Sequence, residues 1–170
     1  MFTEEPLEPI TKNSLLTSGH INKCQEILKR QFPDLGGLHC CTMGVTLDFP
    51  KATGDKWLQI VHDNDHWVLV AKTEAGHVSI YDSLAQSCWR KRPHTLSCAS
   101  SLLQTSEKHL LYKVKSCQQQ NNGFDCGVFV VAFATSIAHG VDPNTVIYDR
   151  RSLRSHLQKC LAADNLTPFP

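Results

Sequence analysis

Apolar residues change their spacing along this chain, and each change marks an element. From Thr17 or Ser18, either of which can cap a helix, Ile21, Cys24, Leu28 and Phe32 recur at helical intervals while Lys23, Gln25, Glu26, Lys29 and Arg30 fall elsewhere. This predicts an amphipathic helix ended by Pro33. Residues 1–13, with Pro6 and Pro9, read as an extended lead-in, and Asp34-Leu35-Gly36-Gly37-Leu38 as a turn. Residues 39–55 read as loop with one short strand around Val45–Leu47.

The spacing then becomes strand-like. Trp57–His62, His66–Ala71 and Val78–Asp82 are three runs separated by Asp63-Asn64-Asp65 and by a turn containing Glu74-Ala75-Gly76, the pattern of an antiparallel meander. The second run is apolar on both faces after His66, as in a central strand buried on both sides. In such a pair the register decides which side chains meet. A connection of three or five residues between the second and third strands would pair His66 with Asp82, and one of four would not. Farther on, Trp89-Arg90-Lys91-Arg92 reads as a solvated basic loop, Leu96–Leu103 as a short helix and Leu110–Lys115 as a strand. A last amphipathic helix, capped by Asp149, turns Leu153, Leu157, Cys160 and Leu161 inward and Arg150, Arg151, Arg154 and Lys159 largely outward, and is expected to cover one face of the sheet.

The run Val128–Ala138 is too short for a membrane span and long enough for a buried helix, with Asp125 as its expected N-cap and Gly140 as its stop. Cys126 then lies in the first turn, where unpaired backbone N–H groups and the helix dipole favour a thiolate. Asn122-Gly123 supplies a tight turn before it, and Gln120 an amide able to donate to an oxyanion. A cysteine nucleophile needs a base and a group to orient that base; His66 and Asp82 are the candidates. Alone, each has a plainer reading: a small core cysteine, a strand-end histidine, a turn aspartate and a loop amide. A metal site built from His62, Asp63, Asp65 and His66 is the competing chemistry, but its spacing matches neither a helical zinc-protease pair nor a structural zinc site.

Composition narrows the setting. At 170 residues the chain suits one domain, and a formal net charge of +1 argues against a dedicated nucleic-acid binder and for a protein or peptide partner. The eight cysteines form no CxxC pair and the N-terminus lacks the features of a signal peptide, so reduced thiols and an intracellular setting, nuclear or cytoplasmic, are expected. Cys40 and Cys41 cannot easily bridge each other, and Cys24, Cys88, Cys98, Cys117 and Cys160 are expected to pack as small apolar residues.

His66-Trp67, Ile80-Tyr81-Asp82-Ser83 and the run Gln119–Gly127 resemble the His-Trp, Tyr-Asp and Gln-x-Asn-Gly-x-Asp-Cys-Gly blocks of the SUMO/sentrin-specific cysteine protease family. Thr17–Leu28 is similar to that family's N-terminal helix. The resemblance runs from about residue 13 to 162, and implies a papain-like α+β fold: a central mixed or antiparallel sheet flanked by helices, with the nucleophile at the start of a buried helix. It divides the chain into a lead-in (1–13), a catalytic domain (14–163) and a tail (164–170). It implies that Cys126 is the nucleophile, His66 the general base, Asp82 its orienting carboxylate and Gln120 an oxyanion donor alongside the Cys126 N–H. It further implies that Trp67 presses on the di-glycine tail of a ubiquitin-like modifier. Where the family has a tunnel-closing Trp, this chain has Leu15, and the acidic residue that follows is absent. No cofactor, metal, membrane or nucleic acid is implied, and a monomer is expected. The expected activity is hydrolysis after a Gly-Gly-type tail of SUMO, NEDD8 or ubiquitin. The alternatives are a catalytically weak or inactive binding module, a mobile-element-derived peptide protease with an unrelated substrate and, last, an acyltransferase.

Overall fold

The structure is a computed structural model that describes residues 6–85, 92–105 and 109–170. Its centre is a five-stranded sheet in the order β1 (Gly36–Gly37), β2 (Trp57–His62), β3 (Trp67–Lys72), β4 (Val78–Tyr81), β5 (Tyr112–Val114). The three middle strands are the expected antiparallel meander, while β1 and β5 join its edges in parallel, so the sheet is mixed. Gly36 and Gly37 form an edge strand where the sequence suggested only a turn. A Cβ on Gly36 would meet Thr53 O at 1.7 Å and one on Gly37 would meet Leu58 O at 2.1 Å, so only glycine lets this backbone approach so closely.

β3 is buried on both faces, as its continuous apolar run predicts. On one face Leu58, Ile60, Leu69, Ala71 and Tyr81 pack with α3 (Cys126–Ala138) and α1 (Ser18–Gln31); on the other Val61, Val68, Val70, Val78 and Ile80 pack with α2 (Pro93–Leu103). α3 is buried from Cys126 to Ser136 and stops at Gly140, whose φ of +82° suits glycine. α4 (Leu153–Ala163) packs on α3 and not directly over the sheet as the sequence suggested. Its cap position is Ser152, and Asp149 instead accepts a hydrogen bond from the Ser152 hydroxyl at 2.6 Å.

Several local expectations change for identifiable reasons. Val45–Leu47 is not a strand: Cys41–Gly44 forms a 3₁₀ turn and Leu47 has a φ of +58°. Gln25, expected on a polar face, is buried because β1 ends too soon to pair all of β2. Its Oε1 accepts the Ile60 N–H at 3.0 Å, and its Nε2 donates to His39 O at 2.8 Å. Cys24, Cys98 and Cys160 are buried and Cys117 half-buried, whereas Cys40 is exposed; Cys88 lies outside the described residues.

Both ends lie against the core. Glu8 O faces His20 Nε2, Ile10 O accepts from Gln158 and Thr11 O accepts from Arg154. Leu166 and Phe169 are buried, and Pro170 O accepts the Asp149 N–H at 2.9 Å.

Candidate active site

The β2–β3 turn places His66. Asn64 and Asp65 both have positive φ, 49° and 58°, a conformation that these two side chains tolerate well and that suits the twist of a tight hairpin. Asp63 N donates to His66 O at 2.7 Å and His66 N to Asp63 O at 3.1 Å, so His66 is fixed as the last turn residue before β3. The Asp63 carboxylate faces away from the imidazole: it accepts Thr95 N and Oγ1 at 3.1 and 2.7 Å, at the start of α2. His62 stacks on Trp67, ring centroids 4.7 Å apart. Among the described residues no group of three or more His, Cys, Asp or Glu side chains could hold a metal ion.

The β3–β4 connection is the five-residue stretch Thr73–His77. The register Leu69↔Tyr81, Val70↔Ile80, Ala71↔Ser79, extended by one pair, sets Val68 opposite Asp82; His66 shares their face two residues farther along. The pair meets diagonally, just past the strand ends. His66 Nε2 donates to Asp82 Oδ1 at 2.6 Å, and Leu84 N donates to the same oxygen at 2.9 Å. Cys126, at the start of α3, is the other group that acts on the imidazole. With Nε2 given to Asp82, the nitrogen left for the thiol is Nδ1.

The electrostatics follow from this arrangement. Burial pushes the His66 pKa down, but the hydrogen bond and charge of Asp82, together with the interaction with Cys126, outweigh it, and the net shift is upward from 6.5. Burial pushes Asp82 up, yet the His66 bond and charge, the Leu84 N–H and the Arg92 charge bring it below 3.8.

The segment before α3 is laid on the end of β4. Gln119 Nε2 donates to Asp82 O at 3.0 Å, and Gln120 N donates to Ser83 O at 2.9 Å. The Gln120 side chain is buried and its amide orientation is determined: Nε2 donates to Asn122 O at 2.7 Å, and Oε1 accepts from Ser83 Oγ. One further N–H of that amide remains available to a ligand. Asn122 Oδ1 accepts both Phe124 N and Asp125 N at 3.0 Å, closing the turn that delivers Cys126.

Asp125 occupies the N-cap position of α3 but makes no side-chain capping bond. Its carboxylate is taken by Asn122 Nδ2 at 2.7 Å and by Arg154 at 3.0 Å. Arg154, expected to point outward, is therefore a half-buried staple: it also donates to Thr11 O and Phe124 O at 2.7 and 2.9 Å and lies over the Phe124 ring. The remaining expected contact residues divide. Trp67 is buried, with its Nε1 donating to Leu16 O at 3.1 Å, and Leu15 beside it is 42% exposed. Leu16, which the sequence reading passed over, packs on the first turn of α3 against Gly127.

Arg92 is the other residue that reading missed. Taken as part of a solvated basic run, it instead places its Nε 2.7 Å from Asp82 Oδ2, with its side chain 18% exposed; the rest of that run, residues 89–91, lies outside the described residues. Nothing in the local pattern signals a contact between residues ten apart in the sequence.

Comparisons with known proteins bear on the fold and the family. The model of the Ulp1 protease family, C-terminal catalytic domain, matches residues 55–163. NEDD8-specific protease 1 of Schizosaccharomyces pombe is 30% identical over 111 residues, which cover 56% of this chain and 25% of that protein, so the chain matches about a quarter of the relative's length. Among solved structures, the SUMO protease Ulp1 with its catalytic cysteine oxidised to a sulfonic acid superposes with a TM-score of 0.68 at 14% identity, covering 88% of this chain and 78% of that one. The Xanthomonas campestris effector XopD bound to ubiquitin gives 0.67 at 19%, covering 92% and 96%. At these identities the structures speak for the fold, an α+β sheet flanked by helices, while the family model covers more than half of the chain. The chain belongs to the Ulp1 protease family, a family of cysteine peptidases, and matches its C-terminal catalytic domain over residues 55–163.

Proposed function

We propose that this domain hydrolyses the bond after a Gly-Gly-type C-terminal tail of a ubiquitin-like modifier, with Cys126 as nucleophile, His66 as general base and acid, Asp82 as the orienting carboxylate and Gln120 as oxyanion donor. The observation that carries the reading is the His66 imidazole, whose Nε2 donates to Asp82 Oδ1 at 2.6 Å and whose pKa Cys126, at the start of α3, helps to raise. The thiolate attacks the scissile carbonyl and the oxyanion rests on the Gln120 amide and the Cys126 N–H. His66 gives its proton to the leaving amine, and water, deprotonated by His66, then releases the acyl group from sulfur.

The modifier class is supported by the relatives. One is named as NEDD8-specific, one structure is a complex with the yeast SUMO orthologue and one is bound to ubiquitin. Leu15, exposed and next in sequence to the buried Leu16 that accepts from Trp67, would cover a narrow glycine tail. Hydrolysis of each modifier carrying a C-terminal fluorogenic amide tests the proposal. Turnover of at least one is expected, abolished in Cys126→Ala and His66→Ala and strongly reduced in Asp82→Asn. Unchanged turnover in any of these variants would remove that residue from the mechanism. No turnover of any modifier alongside cleavage of unrelated peptides would replace the substrate class.

A further inference from the structure

We propose that Arg92 is a positioning residue for the triad: its guanidinium, fixed on Oδ2 of Asp82, holds that carboxylate turned so that Oδ1 faces His66. The inference rests on the catalytic reading of His66, Asp82 and Cys126 given above.

Asp82 is almost completely enclosed, with 1% of its side chain exposed, and its two oxygens have separate partners. Oδ1 accepts from His66 Nε2 and Leu84 N at 2.6 and 2.9 Å, while Oδ2 is met by Arg92 Nε at 2.7 Å. The other ionisable groups facing Asp82 do not substitute for Arg92. Cys117, from the segment leading to α3, points its thiol at the Asp82 backbone carbonyl, and burial pushes its pKa up to about 12, so it stays neutral. Cys126, at the start of α3, reaches Asp82 only through His66. Without Arg92, Oδ2 would be a buried carboxylate oxygen lacking its charged donor, an arrangement that favours protonation or rotation of the carboxyl group. Either event removes the acceptor from His66. The guanidinium is also a rigid planar donor, which an ammonium on a flexible stem does not reproduce.

The test compares wild type, Arg92→Gln, Arg92→Lys, Asp82→Asn, the Asp82→Asn/Arg92→Gln double variant and His66→Ala. Two quantities are followed: alkylation of Cys126 by iodoacetamide against pH, read on the Cys126 peptide by mass spectrometry, and hydrolysis of the modifier amide. Circular dichroism confirms folding. In Arg92→Gln the acid limb of Cys126 reactivity should move to higher pH, with the rate near pH 6 falling about 10- to 100-fold, the range expected for losing a charge-assisted hydrogen bond. Arg92→Lys should recover part of the loss. In the Asp82→Asn background the Arg92→Gln change should have almost no further effect, which a merely structural role would not produce.

Superimposable profiles for wild type and Arg92→Gln, or an equal loss in both backgrounds, would overturn the proposal. If Arg92→Gln does not fold, Arg92→Lys decides: a profile displaced between wild type and Asp82→Asn supports the proposal, and a wild-type profile refutes it. Failure of the underlying catalytic reading is recognised separately, since His66→Ala would then leave the Cys126 profile unchanged.

Discussion

Gly127 follows Cys126 directly, and a Cβ added there would lie 2.8 Å from Leu16 Cβ, 2.9 Å from Cγ and 3.0 Å from Cδ1. These are base atoms of a buried side chain rather than a flexible tip, and Leu16 is also held by its carbonyl, which accepts the Trp67 Nε1–H at 3.1 Å. Gly127→Ala thus forces the Leu16–Trp67 contact off the first turn of α3. Overpacking of this kind costs about 1–3 kcal/mol, and the better helix propensity of alanine returns about 1 kcal/mol, leaving a net loss of roughly 1 kcal/mol. Leu16→Ala alone should cost about 2–4 kcal/mol as a buried leucine truncation, yet it removes two of the three clashing atoms. The double variant should then be more stable than the sum of the singles by about 1 kcal/mol, measured by urea denaturation with a common m-value. Additivity within about 0.5 kcal/mol would show that Gly127 is not there to admit Leu16.

Three further outcomes follow from the site and its thiols. Gln120→Ala should lower turnover about 10²–10³-fold while leaving the Cys126 alkylation rate near wild type, because the amide acts on the oxyanion and not on the thiol; a parallel fall in both would contradict that role. In a Cys126→Ala background at neutral pH, mass spectrometry should find Cys40 alkylated before the other cysteines among the described residues, since it is exposed and hydrogen bonds from Thr42 and Asn22 lower its pKa. Cys24, pushed by burial to about 12, should react only on unfolding. The His66–Asp82 pair should also shape stability against pH. His66 is raised from 6.5, so its contribution is complete below that value and is lost as pH climbs through the folded value; Asp82 is lowered from 3.8, so its contribution is present above that value and is lost on strong acidification. The melting-temperature gap between wild type and His66→Ala should be widest between those two values and narrow above the imidazole range; a gap that grows toward alkaline pH would reverse the assigned signs.

The parts of this molecule legible in its sequence are those governed by local pattern. The strand-like runs of β2–β4, the unbroken apolar run of α3 and the Asp63-Asn64-Asp65 turn put His66 and Asp82 at adjacent strand ends, where they are hydrogen-bonded, and Cys126 at a helix start. Short parallel edge strands carry little pattern: β1 is two glycines and β5 three exposed residues. Side chains used as long-range staples were misread because a polar residue looks solvated whatever it pairs with. Gln25 substitutes for missing strand partners of β2, Arg154 joins α4 to the loop before Cys126, and Arg92 pairs with Asp82, ten residues earlier. Asp125 was expected to cap α3 by its position, but Arg154 and Asn122 take its carboxylate.

The central claim is that Cys126 is a nucleophile addressed to the tail of a ubiquitin-like modifier. Purified protein and Cys126→Ala should each be exposed to ubiquitin, SUMO and NEDD8 carrying a C-terminal electrophile and examined by intact mass. The account predicts one covalent adduct of protein plus modifier with at least one of the three, absent in Cys126→Ala. No adduct with any of them, in folded protein whose Cys126 still reacts with iodoacetamide, would contradict it.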